Sequence, residues 1–391
     1  MIHSKTAFTY EIDDPDIAVE EVLGQLQSLE LNENMLGIVA CSYDYIETGV
    51  IAALSEALPF HLVGQTSVAQ SVSGESGMLV LTLMVLYSDD CTFTTGVSDV
   101  LPVTGDMTDS IRTGYEQAKV NMDEKEKLII AFMPIMNEQA GDDYVNALSS
   151  LSGRTPIFGA ICADDTPETY ANARTIYDSE AYSDRISFVL ISGNVDPHFR
   201  IISVSEESVL PFKGEITRSQ GNVLLEVNHM PVMEYMESIG LAENGKIRSG
   251  IASIPFLINF SDAAGSDNVS VARAMYLTVG DGVACVGSMP EGASLAVGMC
   301  DKKDVQETTR SIVRDINAEF HDRVVLMITC FGRRLALTTD PQAEVEIAME
   351  EMSADNDFMM TYSSGEICPT SMKDGLATNR FHNYTIAACI L

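Results

Sequence analysis

The side chains best suited to chemistry crowd toward the C-terminus. Thr329-Cys330-Phe331-Gly332-Arg333-Arg334 closes one apolar run, Tyr362-Ser363-Ser364-Gly365-Glu366-Ile367 closes a second, and Asn379-Arg380-Phe381-His382-Asn383 leads into a third. Strand ends of open α/β sheets are where ligand crevices form. If these strands are neighbours, their turns gather a thiol, a guanidinium, a carboxyl, an imidazole and an amide. Arg333 then suits a carboxylate, held through its planar fork, and Gly332 allows tight backbone there. Glu366 accepts from an ammonium, while Tyr362, Gly365 and Asn383 add polar or open ground. That set fits an amino acid or another small carboxylate. A structural reading of the same residues pairs Arg333 with Glu366, places Cys330 in the core and lets Asn383 cap a turn. A catalytic reading makes Cys330 a nucleophile with His382 as base, in a hydrolase or acyl transferase. It needs a thiol pKa lowered by positive charge such as Arg333, whereas Cys330 ends a strongly apolar run.

Other motifs narrow the field. The sequence contains no G-x-x-x-x-G-K-[ST], no G-x-S-x-G and no H-E-x-x-H. Its 8 cysteines include no C-x-x-C pair, and its 6 histidines do not cluster with them. Neither a metal site nor a cofactor is expected. Most thiols lie in apolar runs such as Leu36–Cys41, as free thiols do in a reducing compartment. Asp and Glu number 57 against 23 Lys and Arg, a formal charge of −34. So anionic a surface repels phosphate backbones and acidic lipid, which argues against nucleic acid or membrane partners. It leaves open a scaffold role with a basic protein partner. The N-terminus lacks the apolar stretch of a signal peptide. The run Met78–Tyr87 is too short for a membrane-spanning helix. A cytoplasmic location is the expectation.

The positioning elements follow from apolar periodicity. A strand over Thr6–Ile12 is followed by a helix whose start carries Asp13, Asp14, Pro15 and Asp16. Then come a strand at Leu36–Ala40, a helix at Glu47–Leu58, strands at His61–Val72, Met78–Tyr87 and Cys91–Val97, and a helix at Met107–Met122. The pattern restarts with Leu128–Phe132, a helix at Asp142–Leu151, then Pro156–Ala163, Ile186–Ser192 and His198–Val204. Gly64 and Gly159 occupy matching places. A divergent third copy is expected from Val324–Cys330, a helix at Ala343–Met352, Phe358–Ser363 and Asn383–Leu391, with 365–375 as a link. The polar stretch Glu206–Gly221 reads as a boundary. The expected domains are 1–210, internally duplicated as about 1–122 and 123–210, and 211–391. Several consecutive strands with few helices argue against strict β-α-β alternation. The fold class expected is α+β: two α/β domains of mixed, largely antiparallel sheets flanked by helices, with a strand-helix-strand-strand-strand repeat in the N-terminal half.

The sequence resembles the FIST family, in both its N-terminal and C-terminal domains. Cys330-Phe-Gly-Arg333 is similar to the family's Cys-x-Gly-Arg step, and Tyr362-Ser-Ser-Gly365-Glu366-Ile367 to its Tyr-x-x-Gly-Glu-Ile segment. Asn383-Tyr-Thr-Ile386, Glu291-Gly292, Gly221–Tyr235, Gly37–Ser42 and Leu62–Ser67 add to the resemblance. Asn228-His-Met-Pro231 stands where the family usually has Asp-Gly-x-Pro. The resemblance implies a sensory input protein that binds small ligands, amino acids among them, around Cys330, Arg333 and Glu366. It also implies signalling, here through a separate protein, since the sequence leaves no room for a kinase, methyl-accepting or F-box segment.

Overall fold

The computed structural model describes residues 1–391 apart from 137–138, 167–169, 249–252, 263–264 and 267–269. Three copies of one unit emerge from the strand patterns. The first contains β2 (Leu36–Cys41), β3 (His61–Thr66), the hairpin β4 (Gln70–Val72) and β5 (Glu75–Gly77), β6 (Leu81–Tyr87) and β7 (Cys91–Val97). The second contains β8 (Leu128–Met133), β9 (Ile157–Ile161), the hairpin β10 (Thr175–Tyr177) and β11 (Glu180–Tyr182), β12 (Ser187–Gly193) and β13 (His198–Ile202). The third contains β26 (Val324–Cys330), β27 (Asp357–Ser363), the hairpin β28 (Glu366–Lys373) and β29 (Leu376–His382), and β30 (Ile386–Ile390). Its sixth strand is supplied from the other end of the chain by β1 (His3–Thr9). Within each unit the first two strands run parallel, and the fifth lies antiparallel beside the first.

The units exchange strands in a cycle. The sheets read β1-β6-β2-β3-β10-β11, β29-β28-β9-β8-β12-β7 and β13-β30-β26-β27-β4-β5. Each hairpin therefore completes a neighbouring unit's sheet. The first unit's hairpin joins the third sheet, the second's joins the first, and the third's joins the second. Strands from both sides of residue 210 share all of the second and third sheets. Pairing of this kind covers edges that would otherwise present unpaired backbone groups.

Helices cover the outer faces. α1 (Pro15–Leu26) is capped by Asp14, whose carboxylate accepts from the N–H groups of Asp16 and Ile17. The helix expected over Glu47–Leu58 is two pieces, α2 (Asp44–Glu47) and α3 (Val50–Ala57), separated at Gly49, whose φ of 89° breaks the turn. α4 (Thr108–Lys119) and α5 (Gly141–Ser152) flank the second sheet. Between the second and third units lies an insertion with twelve described strands, β14 (Val209–Gln220) to β25 (Ser294–Gly298), and α6 (Val232–Ser238). α7 (Lys302–Glu319), α8 (Phe331–Leu337) and α9 (Ala343–Glu351) belong to the third unit. Arg273, fully buried, ties the insertion to the second unit. It donates to the Phe381 carbonyl at 2.7 Å and to Asp142 Oδ1 at 3.1 Å. No helix among the described residues is long and apolar enough to cross a membrane.

Two features escape the expected pattern. His61–Val72 breaks after Thr66, because β3 and β4 belong to different sheets. The stretch 365–375 is no link but most of a paired hairpin, β28–β29. Gly64 and Gly159 do occupy equivalent sites. A Cβ there would lie 1.8 Å from the Val39 carbonyl oxygen and 2.3 Å from that of Ala131. The register puts Met360 at the third equivalent position, which is why the third copy looks divergent.

The inner faces of the three sheets meet in one core. Its central layer is apolar: Ile38, Val63 and Met84 from the first sheet, Ile130, Phe158 and Val189 from the second, Leu326, Met359 and Cys389 from the third. A small apolar cavity of ≈ 20 Å³ sits there, reaching up to Ala40, Phe132, Ile328 and Thr361. That volume holds about one water-sized molecule.

Candidate ligand-binding site

One strand step above this layer the chemistry changes. Strands alternate faces with period two, so residues two positions on share the inner face. Gln65 follows Val63, Thr82 precedes Met84, Ser187 precedes Val189, and Thr361 follows Met359. On the hairpins Gln70 precedes Val72, Thr175 precedes Tyr177, and Glu366 precedes Cys368. The ladder registers align them: Ala40 with Gln65 and Thr82, Gln65 with Thr175, Phe132 with Ala160 and Ser187, Ala160 with Glu366, and Thr361 with Gln70. Gln70, Thr175 and Glu366 are thus equivalent positions of the three hairpins. Together they form a polar ring over the apolar core.

Buried polar groups normally find partners, and part of this ring does. Thr82 donates to the Ala40 carbonyl at 3.3 Å, Thr175 to the Arg185 carbonyl at 2.8 Å, and Gln65 Nε2 to the Tyr362 carbonyl at 3.1 Å. Several atoms do not. Gln65 Oε1, both amide atoms of Gln70, Ser187 Oγ and Glu366 Oε2 are buried without a hydrogen-bond partner. All four residues are completely inaccessible. Each such group costs of order 1–3 kcal/mol if nothing compensates it. Five unpartnered atoms on one ring are hydrogen-bonding capacity that a ligand or bound solvent would satisfy.

At the top of the ring, Glu366 Oε1 accepts from Ser363 Oγ at 2.5 Å, and Cys330 is the register neighbour of Ser363. Burial pushes the Glu366 carboxyl well above its ordinary range, against the lowering effect of Ser363 and Arg333. Burial also pushes the Cys330 thiol well up, with the Glu366 charge adding to the rise. A nucleophilic thiol needs the opposite shift.

The expected constellation is thus only partly assembled. Cys330 and Glu366 meet. Arg333 does not join them, which corrects the expected carboxylate clamp and the alternative Arg333–Glu366 pair alike. Its partner is Glu344 on α9, 2.7 Å away, with both side chains fully buried. The residues after Cys330 are not an open turn but helix α8, which rolls Arg333 inward. There Nε donates to Glu344 at 2.8 Å, Nη1 to the Ser203 carbonyl at 3.2 Å, and Nη2 to the Val305 carbonyl, Thr308 and Thr309 at 3.0–3.1 Å. Tyr362 also serves this pair, its hydroxyl donating to Glu344 Oε2 at 2.9 Å. His382 Nε2 donates to the Cys368 carbonyl at 3.1 Å, and burial lowers its pKa to about 3, with Arg273 and Arg380 adding to the effect. It is a neutral ring held by backbone, and no hydrogen bond joins it to Cys330 among the described residues. Asn383 Oδ1 accepts from the Ala274 N–H at 3.5 Å. Gly332 lies against the Tyr384 ring and Gly365 against Phe381, each leaving no room for a Cβ.

Gln65, Gln70 and Ser187 were not singled out from sequence. The available signal was a polar side chain on the inner face of an otherwise apolar strand, as in Leu62-Val63-Gly64-Gln65. No group of metal-ligating side chains occurs among the described residues.

A family model described as FIST N domain matches residues 35–230, and one described as FIST C domain matches residues 232–369. FIST domains are generally sensory, ligand-binding domains of signalling proteins. No curated protein matches the chain. Among solved structures, cyanuric acid hydrolase from A. caulinodans aligns over 100% of this chain and 99% of its own, at 10% identity and a TM-score of 0.37.

Proposed function

The chain belongs to the FIST family, and from that premise we propose that it is a cytoplasmic small-ligand sensor that binds without catalysis and signals through a separate protein. The observation that carries the reading is the ring of unpartnered buried polar atoms on Gln65, Gln70, Ser187 and Glu366. A site built to hydrogen-bond a ligand leaves such groups unsatisfied when the ligand is gone. All three units contribute to the ring, so a ligand there binds the sheets to one another and favours one packing of the units. That coupling is how occupancy becomes a signal. Seven of the eight cysteines are buried and all are free, which supports a reducing compartment.

The test is thermal denaturation across a panel of amino acids, small carboxylates, amides and polyols, with the wild type and a Gln70→Met variant. A ligand that binds only the native state raises the midpoint. The reading expects at least one compound to do so for the wild type and not for the variant. It is abandoned if no compound separates the two proteins.

A further inference from the structure

We infer that the ring takes a small uncharged ligand of the amide or urea class rather than a carboxylate or a free amino acid. The inference rests on the proposal that the ring is the binding site. Its unpartnered groups are of both kinds: Gln70 Nε2 donates, Gln70 Oε1 and Gln65 Oε1 accept, and Ser187 Oγ does either. A primary amide carries the complement in one plane. Its N–H groups suit the two glutamine carbonyls, and its carbonyl suits Gln70 Nε2.

Both fully buried guanidinium groups among the described residues are committed elsewhere. The Arg333 guanidinium is spent on Glu344, two backbone carbonyls and two threonine hydroxyls. Arg273 is spent on Asp142 and on the carbonyls of Phe381 and Ser288. His382 is neutral and tied to the Cys368 carbonyl. An anion in the ring would be buried without a counter-ion, which a low-dielectric interior strongly disfavours. A cation would depend on Glu366 alone, whose other oxygen is already bonded to Ser363. The apolar cavity of ≈ 20 Å³ beneath the ring holds only about one water-sized molecule, so the ring must part to admit even a ligand of a few heavy atoms.

Acetamide, acetate and acetamidinium have one shape and three charges. Saturation-transfer NMR on the full chain, at matched ionic strength, compares them for the wild type, Gln70→Met and Gln65→Met. The expected result is acetamide binding roughly tenfold more tightly than either ion, and weakened by both substitutions. Two variants guard against one failing to fold. If acetate or acetamidinium binds as well as acetamide and depends on Gln70, the uncharged class is wrong while the site stands. If no probe shows binding that depends on Gln65 or Gln70, the site itself is wrong.

Discussion

Replacing Gln70 by Met should stabilise the ligand-free protein. Most core substitutions destabilise, so the sign is informative. Gln70 is fully buried in β4, and neither atom of its amide has a partner. Leaving such an amide unsatisfied costs about 1–3 kcal/mol. Met has nearly the same length and an adaptable unbranched chain, and a volume-conserving swap in a core costs less than about 1.5 kcal/mol. The expected net gain is about 1 kcal/mol. Gln25 on α1 is the control. Its Oε1 accepts from the Phe8 N–H at 3.1 Å, and its Nε2 donates to the Phe8 carbonyl at 2.7 Å. There the same substitution breaks these two bonds and a third, from Nε2 to the Glu21 carbonyl at 3.0 Å, and should cost about 1–2 kcal/mol. Equilibrium unfolding in guanidinium chloride reads both as midpoint shifts at constant slope. Urea is avoided because it belongs to the proposed ligand class. Should Gln70→Met lower the midpoint as Gln25→Met does, the Gln70 amide has native partners and the ring loses its basis.

Four further outcomes follow from the same geometry. Arg333→Ala strands the buried Glu344 charge and should cost about 3–5 kcal/mol, whereas the double change Arg333→Met with Glu344→Met should recover most of that; guanidinium midpoints decide. Burial raises the folded Glu366 pKa above its ordinary 4.5, so as pH rises past that value the unfolded chain releases the proton first and stability falls. Glu366→Gln removes this loss, and its advantage over wild type should grow by up to about 1.4 kcal/mol per pH unit until the folded carboxyl ionises; a constant difference across pH refutes the shift. On the acid side, His382 with a folded pKa of about 3 against an ordinary 6.5 makes the native state progressively less stable as pH falls through that window, and His382→Phe should flatten the midpoint's acid-side dependence. Finally, iodoacetamide at neutral pH should label only Cys91, the one cysteine that is not buried; labelling of native Cys330 would revive the nucleophile reading.

What was legible in the sequence was local. Continuous apolar runs announced the central strands, and Val324–Cys330 matches β26 at both ends. The paired glycines Gly64 and Gly159 marked the repeat, because parallel strands approach too closely there for a side chain. Asp14 announced a helix start through its own carboxylate. Tertiary structure decided whatever depends on partners distant in the chain. Hairpins joined sheets other than their own, since a strand's pattern specifies which face is buried but not whose edge it pairs with. Arg333 found Glu344 instead of Glu366 because α8 turns it inward at once after Cys330, and a guanidinium in the core takes the carboxylate it can reach with each of its nitrogens hydrogen-bonded. The polar ring likewise exists only where three sheets meet: Gln65, Gln70, Ser187 and Glu366 lie scattered along the sequence, and no local signal records that they face one another.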